Sequence, residues 1–69
     1  MNIRFKTHTF LDVWGGSTIS KYTIVLMENN ILGNVKSITK IDKHSSKITF
    51  ENNDYTAEPV DNNDFEVVV

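Results

Sequence analysis

Cysteine is absent from this chain, and its two histidines, His8 and His44, stand far apart in the sequence. Disulfide staples and a thiolate zinc site are thereby excluded as sources of stability. No run is apolar enough to span a bilayer, and no basic-then-apolar segment opens the chain, so a cytoplasmic protein without a membrane role is expected. Acceptor sites of the form Asn-x-Ser/Thr are missing as well. At 69 residues a single domain sits near the lower limit for holding itself folded with one core. Stability must then come from a well-packed sheet or from self-association.

Arginine is nearly absent too, and charge of each sign is unevenly placed. All seven basic residues lie within residues 1–50, which carry +4, whereas residues 51–69 contain six acids and no base, giving −6. A block of one sign points either to a partner of the opposite sign or to neutralisation within the fold. Both readings stand at this level.

What is present is a set of alternating β-branched runs separated by turn residues. Residues 35–50, VKSITKIDKHSSKITF, read as a hairpin around Lys43, His44, Ser45 and Ser46. With Lys43 opposite Ser46, Ile41 would face Ile48 and Thr39 would face Phe50 on an apolar side. The other side would carry Lys40 and the pair Asp42–Lys47, with Lys36 and Lys43 nearby. A second hairpin, residues 2–28, is expected around Gly15-Gly16, with Val13 opposite Thr18, Leu11 opposite Ser20 and Phe5 opposite Leu26. Its strands are long, and a bend is expected near residues 7–9.

Asn29-Asn30 marks a turn, because asparagine tolerates left-handed backbone. Residues 33–42 favour a strand, and the phase mismatch between Ile38 and Ile41 calls for a bulge or a second buried face. The spacing of Ile31, Val35, Ile38 and Ile41 also fits a helix over 31–41. Glu51-Asn52-Asn53-Asp54 and Asp61-Asn62-Asn63-Asp64 are further turns, the latter open to a reading as one helical turn capped by Asp61. Tyr55-Thr56-Ala57-Glu58 is a short strand with Pro59 at its end or edge. The closing FEVVV is a strand, either buried or pairing between subunits. The fold expected is all-β, a small barrel or strongly coiled antiparallel sheet of five to six strands.

The segment GNVKSITKIDKHSSKITFENNDYTAEPVDNNDFEVVV, residues 33–69, resembles the later strands of Src-homology-3-type and KOW-type small barrels. The resemblance rests on a Gly-x-Val start, a charged hairpin, a strand and turn, and Pro-x-Asp before a final strand. It implies architecture only, because the aromatic row that binds proline-rich peptides has no counterpart here. Residues 2–28 would then be an added hairpin. In general style the chain also resembles small accessory proteins of low-GC phages, anti-CRISPR inhibitors among them.

Catalytic readings are weak. Asp42, His44 and Ser46 alternate along one stretch but lack an anion hole and a nucleophile elbow. Asp61 to Asp64 offer oxygens without the spacing of a calcium loop. Gly15-Gly16-Ser17 has no following lysine to make it a phosphate loop. No enzyme, cofactor or metal is expected.

Contact chemistry is the better fit. The acids Glu51, Asp54, Glu58, Asp61 and Asp64, with Tyr55 as an anchor, would meet a basic surface of a protein partner. Alternatively Lys36, Lys40, Lys43, Lys47, Arg4 and Lys6 would track a phosphate backbone, with Phe10 or Trp14 stacking on bases. Trp14 is otherwise a cap on the core. A third reading is an oligomer, paired through edge strands, that sequesters a small ligand or nucleotide at a subunit interface.

Overall fold

A computed structural model describes residues 1–15, 21–52 and 55–69 of the chain. Eight strands run in order: β1 (Ile3–Phe5), β2 (Thr9–Trp14), β3 (Lys21–Leu26), β4 (Ile31–Leu32), β5 (Val35–Lys40), β6 (Ser45–Phe50), β7 (Thr56–Asp61) and β8 (Phe65–Val67). They form two antiparallel sheets, one ordered β4-β1-β8 and one ordered β3-β2-β7-β6-β5. No helix occurs among the described residues, so the helical spacing over 31–41 gives way to the strands Ile31–Leu32 and Val35–Lys40 that its β-branched density favours, and no described helix is long and apolar enough to cross a membrane.

The architecture is all-β, but the sheets do not close into a barrel and the strands exceed the five or six expected. The excess has a local cause. Each long strand of the sequence breaks where it changes sheet. A bend at Lys6 and Thr7 separates β1 from β2, close to the expected position, and Gly33-Asn34 separates β4 from β5. Asn29 supplies the reversal between β3 and β4 with φ 74°, a left-handed conformation that asparagine adopts at low cost. Its backbone N–H donates to Phe5 O at 2.7 Å, and the Phe5 N–H donates to Asn30 O at 2.9 Å.

Registers differ from the expectation in two instructive ways. In the β5–β6 hairpin Ile38, not Ile41, faces Ile48, and Thr39 faces Lys47. The Asp42 carboxylate accepts the backbone N–H groups of His44 and Ser45, at 2.8 and 2.9 Å, and the Ser45 hydroxyl at 3.0 Å. That side chain-to-backbone turn displaces the reversal toward residue 42. The shift is odd, so Ile41 moves to the surface, 51% exposed, and the expected pair Asp42–Lys47 does not form. The strand does carry a bulge, but at the register shift between Val35 and Ser37, and the mismatch between Ile38 and Ile41 is resolved by Ile41 facing solvent instead. In β2–β3 the pairs are Leu11 with Ile24 and Val13 with Tyr22. The expected partners Thr18 and Ser20 lie outside the described residues, as does Gly16 of the expected turn. This shift is even, so Leu11, Val13, Ile24 and Leu26 still share one face, but Phe5, expected opposite Leu26, lies in β1 of the other sheet and Leu26 pairs with Thr9 instead.

Pro59 is the third correction. It lies inside β7, the middle strand of its sheet, instead of at a strand end or edge. The ladder accommodates it through a bulge, since Ser46 pairs with Val60 and Ile48 with Ala57, leaving Glu58 and Pro59 across from Lys47 alone. Residues 61–64 make a turn without a helix. Asp61 caps it by accepting the Asn63 N–H at 2.8 Å.

Between the sheets lies one core built from Ile3, Phe5, Leu11, Val13, Val35, Ile48, Ala57, Val60 and their neighbours. Phe5 meets Phe65 with ring centroids 6.0 Å apart, which ties β1 to β8 inside the core as well as along the ladder.

Candidate functional site

The outer face of the five-stranded sheet is divided by strand. Across β5 and β6 it carries Ser37, Thr39, Ser45, Lys47 and Thr49, short polar side chains plus one lysine. Across β2 and β3 it carries Phe10, Asp12 and Trp14 paired with Val25, Thr23 and Lys21. Alternation along TFLDVW explains this, because Leu11 and Val13 point inward and force Phe10, Asp12 and Trp14 outward. Phe10 is 65% exposed and its cross-strand partner Val25 53%. Large apolar side chains facing each other in solvent are the unusual observation here.

The remaining groups on that face are already matched with one another. Asp12 accepts the Thr23 hydroxyl at 3.1 Å and stands 3.8 Å from the Lys21 ammonium. Lys21 in turn lies 5.4 Å over the ring of Trp14, which is 39% exposed. His8 extends the row beyond the strand, its ring 5.0 Å from that of Phe10. The arrangement is therefore apolar and nearly neutral: aromatic rings with one lysine and one carboxylate offsetting each other.

Among the described residues the acids of the expected patch are spread over the end of β6, β7 and the turn after it. Glu51 is exposed at the end of β6, Glu58 is exposed in the middle of β7, Asp61 caps the next turn, and Asp64 is half-buried within it. They run the length of β7, and Asp54 lies outside the described residues. Tyr55 is half-buried against the core, with its ring edge-on to Tyr22 at 6.1 Å. Basic residues sit alongside. Lys47 lies across from Glu58, and the Lys43–His44 tip accepts two hydrogen bonds from Asn62, one from its backbone N–H to His44 O at 2.9 Å. The two charge blocks of the sequence thus adjoin, as neutralisation within the fold requires.

The lysine set is equally dispersed. Lys36 is exposed at the β5 bulge, Lys40 and Lys43 border a groove beside β8, and Lys6 is exposed at the bend after β1. Arg4 belongs to the other sheet, where its guanidinium is bonded to the Glu66 carboxylate and to Asn29 Oδ1. No single face gathers these cations.

Among the described residues, two cavities lie along the seams where the sheets do not join. One, about 260 Å³, lies between β3 and β4 and is lined by Tyr22, Ile24, Leu32 and Tyr55 with the amides Asn34 and Asn52. The other, about 550 Å³, is the shallower groove between β5 and β8. Among the described residues no group of acids and histidines is placed to hold a metal ion. His44 and Asp42 are joined only through the His44 backbone, so no triad forms around Ser46, whose hydroxyl instead donates to Asn62 Oδ1.

The register expected around Gly15-Gly16, with Val13 opposite Thr18, sets Phe10 across from Lys21, so the exposed Phe10–Val25 pair is not visible in it. The seam residues Tyr22, Asn34 and Asn52 carried no local signal, because they converge from three separate segments. Comparison with protein-family models, curated proteins and solved structures gives no match for this chain.

Proposed function

We propose that this chain is a small non-enzymatic binding protein whose partner is another protein, engaged through the outer face of β2 and β3. The observation that carries this reading is the exposed Phe10–Val25 pair flanked by Trp14, with Lys21 and Asp12 balancing each other at its side. An apolar, aromatic centre with a sparse polar rim is the composition of protein interface cores, and depletion of net charge is part of that pattern. A partner with an apolar surface of its own fits this face; a polyphosphate does not, because its one lysine is already matched.

The acids of β7, Glu58 in particular, then belong to the rim. There they set encounter rate and orientation more than affinity. The most concrete version is an inhibitor or regulator carried by a phage or other mobile element, which works by covering a surface of a host machine. The chain's compositional style supports that version.

The test is affinity capture from the native host with wild-type protein and two variants. Phe10→Ser combined with Val25→Ser should lose the captured partner, whereas Ile31→Ser, an exposed apolar position on the other sheet, should keep it. Retention by the first variant overturns the reading. The competing nucleic-acid reading sets Lys36, Lys40, Lys43, Lys47, Arg4 and Lys6 against phosphates with Phe10 or Trp14 stacking on bases, and predicts retention on an oligonucleotide column, with elution steeply dependent on salt.

A further inference from the structure

Among the described residues, β5 and β8 are the outer strands of their respective sheets and border the same groove. Their backbone polarity can be read from the neighbouring ladders. The Lys6 N–H donates to Asp64 O and the Val68 N–H to Asn2 O, so Phe65 and Val67 aim their N–H and C=O groups away from β1. Likewise the Ile41 N–H donates to Ser45 O in the β5–β6 ladder, which turns the backbone groups of Ile38 and Lys40 away from β6. The groove therefore has an open strand edge on each wall. It is bounded at one end by the bond from the Met1 amine to Val35 O, 2.7 Å, and at the other by the Asn62 bonds to the hairpin tip.

Its side chains add a second constraint. Ile38, Phe65 and Val67 supply an apolar floor, and Val67 is 56% exposed there although Phe65 before it and Ile3 across the ladder are core. Lys40 and Lys43 stand at the rim, both exposed. The carboxylate of Glu66 is held by Arg4. Among the described residues neither Lys40 nor Lys43 is in an ion pair, so the rim presents two lysine ammonium groups to an incoming chain.

We infer that this slot takes an extended acidic peptide of a partner protein, added as a strand between β5 and β8. Backbone hydrogen bonds to the two edges supply affinity without regard to sequence, while alternate side chains meet the apolar floor and the two lysines. Added there, the peptide would join the two sheets along this seam. The proposal is independent of the β2–β3 face, which lies on another part of the surface.

The experiment is fluorescence anisotropy with a labelled peptide alternating valine and glutamate, titrated with full-length chain, beside a valine–lysine counterpart. Saturable binding of the glutamate peptide alone is expected, with the amide resonances of Ile38, Lys40, Phe65 and Val67 shifting on titration. Reversing both lysines, Lys40→Glu with Lys43→Glu, should weaken binding about tenfold. Val67→Pro removes an edge donor but no ladder donor toward β1, so it should abolish binding with the fold retained. If that variant fails to fold, the lysine reversals still decide the matter. The Phe10→Ser, Val25→Ser variant should bind the peptide normally, which separates this site from the one above. Equal binding of both peptides, binding of neither, or unmoved resonances at Phe65 and Val67 overturns the proposal. So does a dimer in sedimentation with those two amides already protected from exchange, which assigns the slot to a second copy.

Discussion

Ser46 and Asn62 hold the β5–β6 hairpin onto the β7–β8 turn through a hydrogen bond from the serine hydroxyl to the amide Oδ1. Ser46 is 1% exposed, the one buried polar side chain in the described core. A buried hydroxyl is tolerated only with a partner, and here the partner also donates its own backbone N–H to His44 O. Asn62→Ala leaves that hydroxyl without an acceptor and should cost about 1–3 kcal/mol in urea unfolding. Replacing Ser46 by alanine as well should not cost the same again, since no unsatisfied group then remains. Full additivity of the two losses would refute the pairing.

Asp42 organises the hairpin turn, and the fold marks this in its ionisation. The His44 N–H, the Ser45 hydroxyl and the Ser45 N–H all stabilise the carboxylate, in that order of weight, and lower its pKa from the ordinary value. A depressed carboxylate contributes stability above its unfolded pKa and loses it as pH falls through the folded one. The stability gap between wild type and Asp42→Ala should therefore be full at neutral pH and narrow below about pH 4. A gap that widens in acid contradicts this turn chemistry.

The β5–β6 register makes a sharp pair of predictions. Ile41→Lys places a charge on a residue already in solvent and should leave stability within about 0.5 kcal/mol. Ile38→Lys strips a partly buried side chain from its place against the core and should cost about 2 kcal/mol by thermal or urea unfolding. The opposite ranking would restore the register read from the sequence.

Asn29 combines a positive φ with a hydrogen bond accepted from Arg4. Asn29→Val should lower stability by about 1–2 kcal/mol, because a β-branched side chain is crowded in left-handed backbone. Asn29→Gly relieves the crowding and should recover most of that loss. If the two variants are equally damaged, the Arg4 contact outweighs the backbone conformation at this position.

Phe10→Ser should barely move the melting temperature, since Phe10 faces solvent, whereas Leu11→Ser next to it should cost about 2–4 kcal/mol. This contrast verifies which side of β2 is surplus to folding and so free for contact.

Much of the fold is legible in the sequence for reasons these residues make plain. Period-two alternation assigns Leu11 and Val13 inward and Phe10 and Trp14 outward whatever the register, provided any slip is even. Asn29-Asn30 is legible because few residues adopt positive φ. The position of the β5–β6 reversal is not, since Lys43-His44-Ser45-Ser46 looks as turn-like as the stretch around Asp42 until the aspartate's three donors are seen together. Pro59 misleads because the rule that keeps proline from central strands yields to a bulge, and a bulge is a property of two strands. The candidate face is legible in membership but not in pairing, and the groove between β5 and β8 depends on which strands fail to meet.

The ladder between β1 and β8 has a consequence for how the chain is made. Ile3 and Phe5 are translated well before Val67 and Phe65, their partners across that ladder. The nascent polypeptide must carry two large greasy side chains while everything from β2 to β7 is made, before their lasting cover arrives. Such delayed closure makes folding slow relative to a helical chain of equal length, and it opens a window in which chaperones, or aggregation, reach the protein first.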